Sequence, residues 1–306
     1  MKSVKKCLIF FIIILFFVEP CTAQKAKEKQ IDVKLPPEDL ILFINCYPSI
    51  SFEISYDENI DDWLLSFNSY GKKYNLYWQN SSLLPKEEIT NKEKYWPLLY
   101  SYPLKLKEPS DFTEEEIERV KNFGSTENRK NGAGTPMFFF DAFYDSNTRG
   151  SLESHLSRTT FLGHNTTVHE RIVPELKKVE KKIFELSETD AEVKNFVEGI
   201  KSTDAYYWRI ISGTNRKSFH SLGIALDVLP KRLGGKAIFW SWTKDINPDG
   251  WMLTPLSQRW MPPLKVIEAF EDCGFIWGGK WIIFDNMHFE YHPELTAYSR
   301  KLAGAF

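Results

Sequence analysis

Ser218-Phe219-His220-Ser221-Leu222-Gly223-Ile224-Ala225-Leu226-Asp227 sets a histidine and an aspartate seven residues apart, with a glycine between them. Ile224-Ala225-Leu226-Asp227-Val228-Leu229 reads as a buried strand. A carboxylate inside such an apolar run is costly unless it is paired or bound to a metal. Further on, Phe284-Asp285-Asn286-Met287-His288-Phe289-Glu290 supplies another histidine with an acid three residues before it. Zinc takes imidazole nitrogen and carboxylate oxygen, and a catalytic site needs three protein ligands and one open position. His220 on the turn, Asp227 on the strand and His288 make that set. Asp285 is then free to act as general base, taking a proton from water and passing it to a leaving amine. Glu290 is a candidate acceptor for a ligand histidine N–H. Singly, each residue has a plainer reading: His220 a turn cap, Asp227 a salt-bridge partner, His288 a core histidine beside Phe289. Two histidines and two aspartates in apolar, strand-like surroundings are harder to explain without a metal.

Ser218-x-His220-x-x-Gly223-x-Ala225-x-Asp227, followed by Asp285-x-x-His288-Phe289-Glu290, resembles the zinc D-alanyl-D-alanine carboxypeptidase and L-alanyl-D-glutamate endopeptidase family. That family includes vancomycin-resistance carboxypeptidases and phage endolysin peptidases. The run Gly274 to Trp281, and His288-Phe289-Glu290-Tyr291, are similar to its endopeptidase branch. The resemblance covers roughly Tyr206 to Pro293. It implies His220, Asp227 and His288 as Zn2+ ligands and Asp285 as the base, where some members carry glutamate. It also implies an arginine that stabilises charge developing on the scissile carbonyl oxygen. Arg209, in Trp208-Arg209-Ile210-Ile211-Ser212-Gly213-Thr214, is the first choice and Arg216 the second; a surface or structural ion pair is the other reading of each. Ser218 either meets substrate or shapes the turn, and Gly223 permits a tight turn or close backbone approach.

The fold expected is α+β, an antiparallel sheet with packed helices carrying the zinc site. This is the D,D-peptidase architecture that resembles the Hedgehog signalling domain. The expected substrate is an amide bond in a peptidoglycan stem peptide; D-Ala-D-Ala, L-Ala-D-Glu and a cross-link all suit the motifs. Two other classes stay open. One is a non-catalytic zinc-containing binding module of the cell envelope. The other is a structural or adhesive exported protein that works through its aromatic N-terminal half.

The chain has 306 residues, enough for one large domain or two ordinary ones. Hydrophobic content of 42% against 26% charged indicates a folded globular protein. A net charge of -2 argues against a nucleic-acid binder held by phosphate contacts. Lys2, Lys5 and Lys6 precede an apolar run from Leu8 to Val18, and small residues end at Thr22-Ala23. That is the layout of a secretory signal peptide over residues 1–23. The run is short for a full span of about 20 residues. An exported, periplasmic or cell-envelope protein is therefore expected, with an N-terminal membrane anchor or a lipid-bearing Cys21 as alternatives. Residues 24–38, ending in Pro36-Pro37, read as a linker. Of the cysteines, Cys46 and Cys273 remain in the mature chain; a bridge and two separate thiols are both open.

Residues 39–165 read as a β-rich accessory region and 166–306 as the catalytic domain. Ile41-Leu42-Phe43-Ile44, Ser51 to Tyr56 and Tyr74 to Trp78 read as strands, with Gly71-Lys72-Lys73 as a hairpin turn. Thr113 followed by Glu114, Glu115 and Glu116 has the capping-box pattern of a helix start. Asn122 to Pro136, rich in Gly, Asn and Ser, reads as a loop. An amphipathic helix is expected over Val168 to Glu188, with Ile172, Leu176, Val179, Ile183 and Leu186 on its apolar face. His155, His164 and His169 are isolated and read as structural. Trp240, Trp242, Trp251, Trp260, Trp277 and Trp281 read mostly as core, with one or two available to line a substrate groove.

Overall fold

A computed structural model of the chain describes residues 34–304. The expected signal peptide, with Cys7 and Cys21, and residues 24–33 of the linker lie outside the described residues. Helix α1 (Glu38–Asn45) leads into a four-stranded antiparallel meander, β1 (Phe52–Asp57), β2 (Asp62–Ser69), β3 (Lys72–Gln79) and β4 (Ser82–Leu84). Four helices follow: α2 (Glu114–Phe123), α3 (Thr126–Asn131), α4 (Phe138–Phe143) and α5 (Arg149–Glu153). A hairpin, β5 (Leu156–Phe161) and β6 (His164–His169), precedes α6 (Val173–Ser187) and α7 (Ala191–Glu198). The last part holds β7 (Ile200–Asp204), β8 (Ala225–Pro230), α8 (Trp240–Ile246), α9 (Leu264–Glu271), β9 (Phe275–Trp277), β10 (His288–Tyr291) and α10 (Pro293–Leu302). The architecture is α+β, with helices and antiparallel sheets.

Local chemistry explains where these elements differ from expectation. Ile41 to Ile44 is helical, not extended. Leu40, Phe43 and Tyr47 recur at helical spacing and are buried, and Glu38 and Asp39 sit at the positive end of the helix. The β2–β3 turn is Tyr70-Gly71, both left-handed at φ 48° and 75°, so Lys72 and Lys73 already belong to β3. Thr113 and Glu116 form the expected capping box of α2. Asn122 to Pro136 is not all loop: Ser125 caps α3 by accepting from the Asn128 N–H. Helix α6 begins at Val173, not Val168, because Val168 and His169 complete β6 and Pro174 occupies the first helical turn.

The sheet that holds Asp227 and His288 runs β7–β8–β10–β9, all antiparallel. Its register pairs His288 with Asp227 and Phe289 with Leu226. Side chains alternate across a strand. Leu226, Val228 and Phe289 therefore face the core, where Phe289 stacks on Phe270 of α9 at 3.7 Å, and Asp227 and His288 share the other face. One hydrophobic core takes in Leu40 and Phe43 of α1, Leu65 and Phe67 of β2, Phe139 of α4, Leu176 and Ile183 of α6, and the β8–β10 residues. Pro36–Phe306 clusters as one unit, and the β5–β6 hairpin straddles the expected 165/166 boundary.

Cys46 and Cys273 are free thiols; burial pushes Cys46 up to about 12 and raises Cys273 as well. Among the described residues no helix is long and apolar enough to cross a membrane.

Phe139 is fully buried and its ring meets Phe43, Tyr47 and Phe143 within 5.5 Å. Phe139→Ala should cost about 3–5 kcal/mol. Because the core is shared, chemical denaturation should still show one transition, followed by both fluorescence and circular dichroism. Two separated transitions would contradict the shared core.

Candidate functional site

His220 sits in a single tight turn, Phe219–Leu222. Ser218 opens the turn by accepting the His220 N–H on its hydroxyl, and Gly223 closes it in a left-handed conformation (φ 69°). A Cβ on Gly223 would lie 2.8 Å from the backbone nitrogen of His169. Serine and glycine are needed here to aim an imidazole. His220 is thereby brought beside Asp227, central in β8, and His288, the first residue of β10.

Three atoms converge. His220 Nε2 lies 3.2 Å from His288 Nδ1 and 3.4 Å from Asp227 Oδ1, and His288 Nδ1 lies 2.8 Å from Asp227 Oδ1. The protons can be assigned from the outer partners. His220 Nδ1–H donates to the Ala205 carbonyl at 2.6 Å, which leaves Nε2 with a lone pair. His288 Nε2–H donates to Glu290 Oε1 at 2.8 Å, which leaves Nδ1 likewise. Two lone pairs and a carboxylate oxygen thus point at one another. In the neutral-imidazole state this arrangement is repulsive unless a cation lies between them. A tetrahedral ion with bonds of about 2.0–2.1 Å would hold its ligands about 3.3 Å apart; the edges from His220, 3.2 and 3.4 Å, match that spacing, and the His288–Asp227 edge, at 2.8 Å, is shorter. The donor set fits a divalent ion.

The surrounding charges reinforce this. Burial opposes charge on Asp227, but the facing His220 and His288 rings, whenever either carries a proton on the nitrogen turned toward it, hold it well below the usual carboxylate range. Burial also opposes charge on Glu290, yet His288 and His292 hold it down to about 2. For His288, burial is outweighed by Asp227 and Glu290, which hold the imidazole well above its ordinary pKa. An ion entering here would therefore displace a proton.

Asp285 is half-buried. Its Oδ1 is fully enclosed and has no hydrogen-bond partner among the described residues. Burial, with the neighbouring Asp227 and Glu290, pushes the carboxyl up to about 7 against the pull of His288 and Arg209. Gly278 seats this residue: a Cβ there would come within 2.6 Å of the Asp285 carbonyl. Gly279 does the same for the Trp277 ring, whose Nε1 donates to Asn286 O at 2.9 Å.

The two arginines separate. The Arg209 backbone is pinned beside the His220 turn by Ser221, whose hydroxyl accepts from Arg209 N and donates to Arg209 O, both at 2.8 Å. Its half-buried guanidinium makes no hydrogen bond or ion pair among the described residues, and its charge acts on Asp285. Arg216 is not available in that way: its guanidinium donates to Ala133 O at 2.9 Å and Arg129 O at 2.7 Å, anchoring the end of α3. The role that these bonds support is structural. So is that of His169, held neutral by burial, near 3, and bonded to Tyr144 O and Arg171 N. His155 lies between Asp145 and Glu170. Trp281 lies 5.2 Å from the His288 ring, whereas Trp240, Trp251 and Trp277 are buried packing residues. Tyr207 and Ile210, on the stretch that carries Arg209, are exposed.

One set of residues escaped sequence reading. His292 Nδ1–H donates to Glu294 Oε1 at 2.7 Å, and its Nε2–H faces Glu290 Oε2 at 3.3 Å. Glu294 Oε2 accepts the Tyr47 hydroxyl at 2.6 Å. Burial opposes the charge on His292, but Glu294 and Glu290 push it up to about 9. A signal was present: His288-x-Glu290 recurs four residues later as His292-x-Glu294.

Residues 212–291 match the D-alanyl-D-alanine carboxypeptidase family. The match is to a peptidase family and encloses His220, Asp227, Asp285 and His288, but not Arg209 or His292. Residues 39–100 match a domain of unknown function. No curated protein and no solved structure matches the chain.

Gly223→Ala should destabilise the protein by at least about 1–2 kcal/mol, the cost of the left-handed conformation alone. Thermal melting reads this loss. An unchanged melting temperature would mean the turn is less constrained than described.

Proposed function

We propose that the protein is a zinc-dependent peptidase that hydrolyses an amide bond in peptidoglycan stem peptides, of D,D-carboxypeptidase or L-Ala-D-Glu endopeptidase type. The observation that carries the reading is the triangle of His220 Nε2, His288 Nδ1 and Asp227 Oδ1. The family match over the same residues supports it. The β7–β8–β10–β9 sheet is read as the D,D-peptidase-like, Hedgehog-like scaffold. Residues 166–306 would carry the chemistry and 39–165 would brace it. The N-terminal sequence would direct export, which places the enzyme where its substrate lies, in the periplasm or cell envelope.

His220, Asp227 and His288 would hold the ion, which when bound would supply Lewis acidity toward water and the scissile carbonyl. Asp285 would take the proton of the attacking water and deliver it to the leaving amine. Its raised pKa suits a group that must both accept and release a proton near neutrality. Arg209, whose charge already acts on Asp285, would stabilise negative charge on the carbonyl oxygen. Glu290 would fix the His288 ring so that Nδ1 faces the ion. The exposed Tyr207 and Ile210 would border the peptide groove.

Purified protein should carry close to one zinc, and less than about half an equivalent counts against the reading. Mass spectrometry of muropeptides after digestion would identify the bond from the mass lost. Asp285→Asn should retain zinc and lose about 10²–10⁴-fold in rate. Zinc without cleavage would instead favour a binding module.

The rate should climb with pH, because Asp285 acts as base only when ionised. A bound cation draws that pKa down, so the acid limb should lie at or below about 7 and vanish in Asp285→Asn. Arg209→Ala should lower kcat by about 10²–10³-fold with an unchanged melting temperature. Arg216→Ala should instead lower the melting temperature. The reverse pattern would exchange the two roles.

A further inference from the structure

His288 does not end its hydrogen bonding at Glu290. From its Nε2–H a continuous buried chain runs through Glu290, His292 and Glu294 to the hydroxyl of Tyr47, 247 residues from Glu294 in sequence. Every member is at most 9% exposed. Both ring nitrogens of His292 face carboxylates, so both carry protons. The ring is boxed edge-on by Phe140 at 5.3 Å and by Phe219, the neighbour of His220, at 4.7 Å. Polar groups buried so deeply have no water to reorient against, and each fixes the next. The last link comes from the segment after α1, inside the part of the chain that matches a domain of unknown function. Lys301 of α10 reinforces the junction by pairing with Glu38 and Asp39 of α1.

We infer that Glu290, His292, Glu294 and Tyr47 form a positioning chain through which the N-terminal segment sets the orientation and donor strength of His288, and so the affinity of the metal centre. This rests on His288 being a metal ligand, as proposed above. Tyr47, His292 and Glu294 are positioning residues; none touches the reacting atoms.

The test uses the full chain with Tyr47→Phe, which removes one hydroxyl and keeps the ring, and Glu294→Gln. Tyr77→Phe serves as control, because it removes a comparable hydroxyl that donates to Asp57 away from the chain. Zinc dissociation constants are measured against a chromophoric chelator, cobalt(II) spectra are recorded at saturation, and the apo proteins are melted.

Removing a direct partner of a ligand typically costs 10–100-fold in metal affinity, so loss of the more remote Tyr47 hydroxyl should cost roughly three- to tenfold. The cobalt spectrum should shift, and Tyr77→Phe should match the wild type. A merely structural role would lower the apo melting temperature and leave the cobalt spectrum of the folded, saturated protein unchanged; that result overturns the inference. So do wild-type zinc affinities in both variants. Weakened affinity with a shifted spectrum supports the chain whether or not the wild type cuts muropeptides. A wild type that binds no divalent ion overturns both this inference and the peptidase reading.

Discussion

The ladder between β8 and β10 sets His288 opposite Asp227, and the rest of the site is built around that pairing. A slip of one residue would carry one of the two onto the core face and bring Phe289 or Leu226 out. The core resists such a slip because Phe289 is stacked on Phe270 beneath the sheet. The same residue alternation that builds the core therefore also brings two of the three converging atoms together. The third, on His220, comes from a turn whose shape depends on a serine cap and a left-handed glycine.

Burying this many ionisable groups is costly unless each charge has a partner. The partners are arranged in series: Asp227 with the two imidazoles, Glu290 between His288 and His292, Glu294 between His292 and Tyr47. Asp285 stands outside the series, with an enclosed oxygen lacking a hydrogen-bond partner among the described residues. An unsatisfied buried oxygen beside such a cluster is what marks Asp285 as a candidate functional group.

Much of the site was legible because it is local. Ser218 to Asp227 and Asp285 to Glu290 each bring their own turn or strand chemistry, and an aspartate in an apolar strand announces a partner. The capping box of α2 was legible for the same reason. What was hidden depends on distant residues. Ile41 to Ile44 has a β-rich composition, but Leu40, Phe43 and Tyr47 find their partners in α4 and α10, which makes a helix the better packed choice. Helix α3 lies in a polar, glycine-bearing stretch and is held at its end by Arg216, 85 or more residues away. For that reason the spacing of Arg216 from His220 was no guide to its role.

Both thiols of the described chain are pushed toward the protonated form by burial, Cys46 most firmly because no cation offsets it, Cys273 against the pull of Lys182 and Lys178. Neutral sulfur is a poor nucleophile toward disulfides and a poor ligand for zinc. Among the described residues, therefore, neither sulfur is set up to exchange with a disulfide or to compete with the imidazoles for an ion.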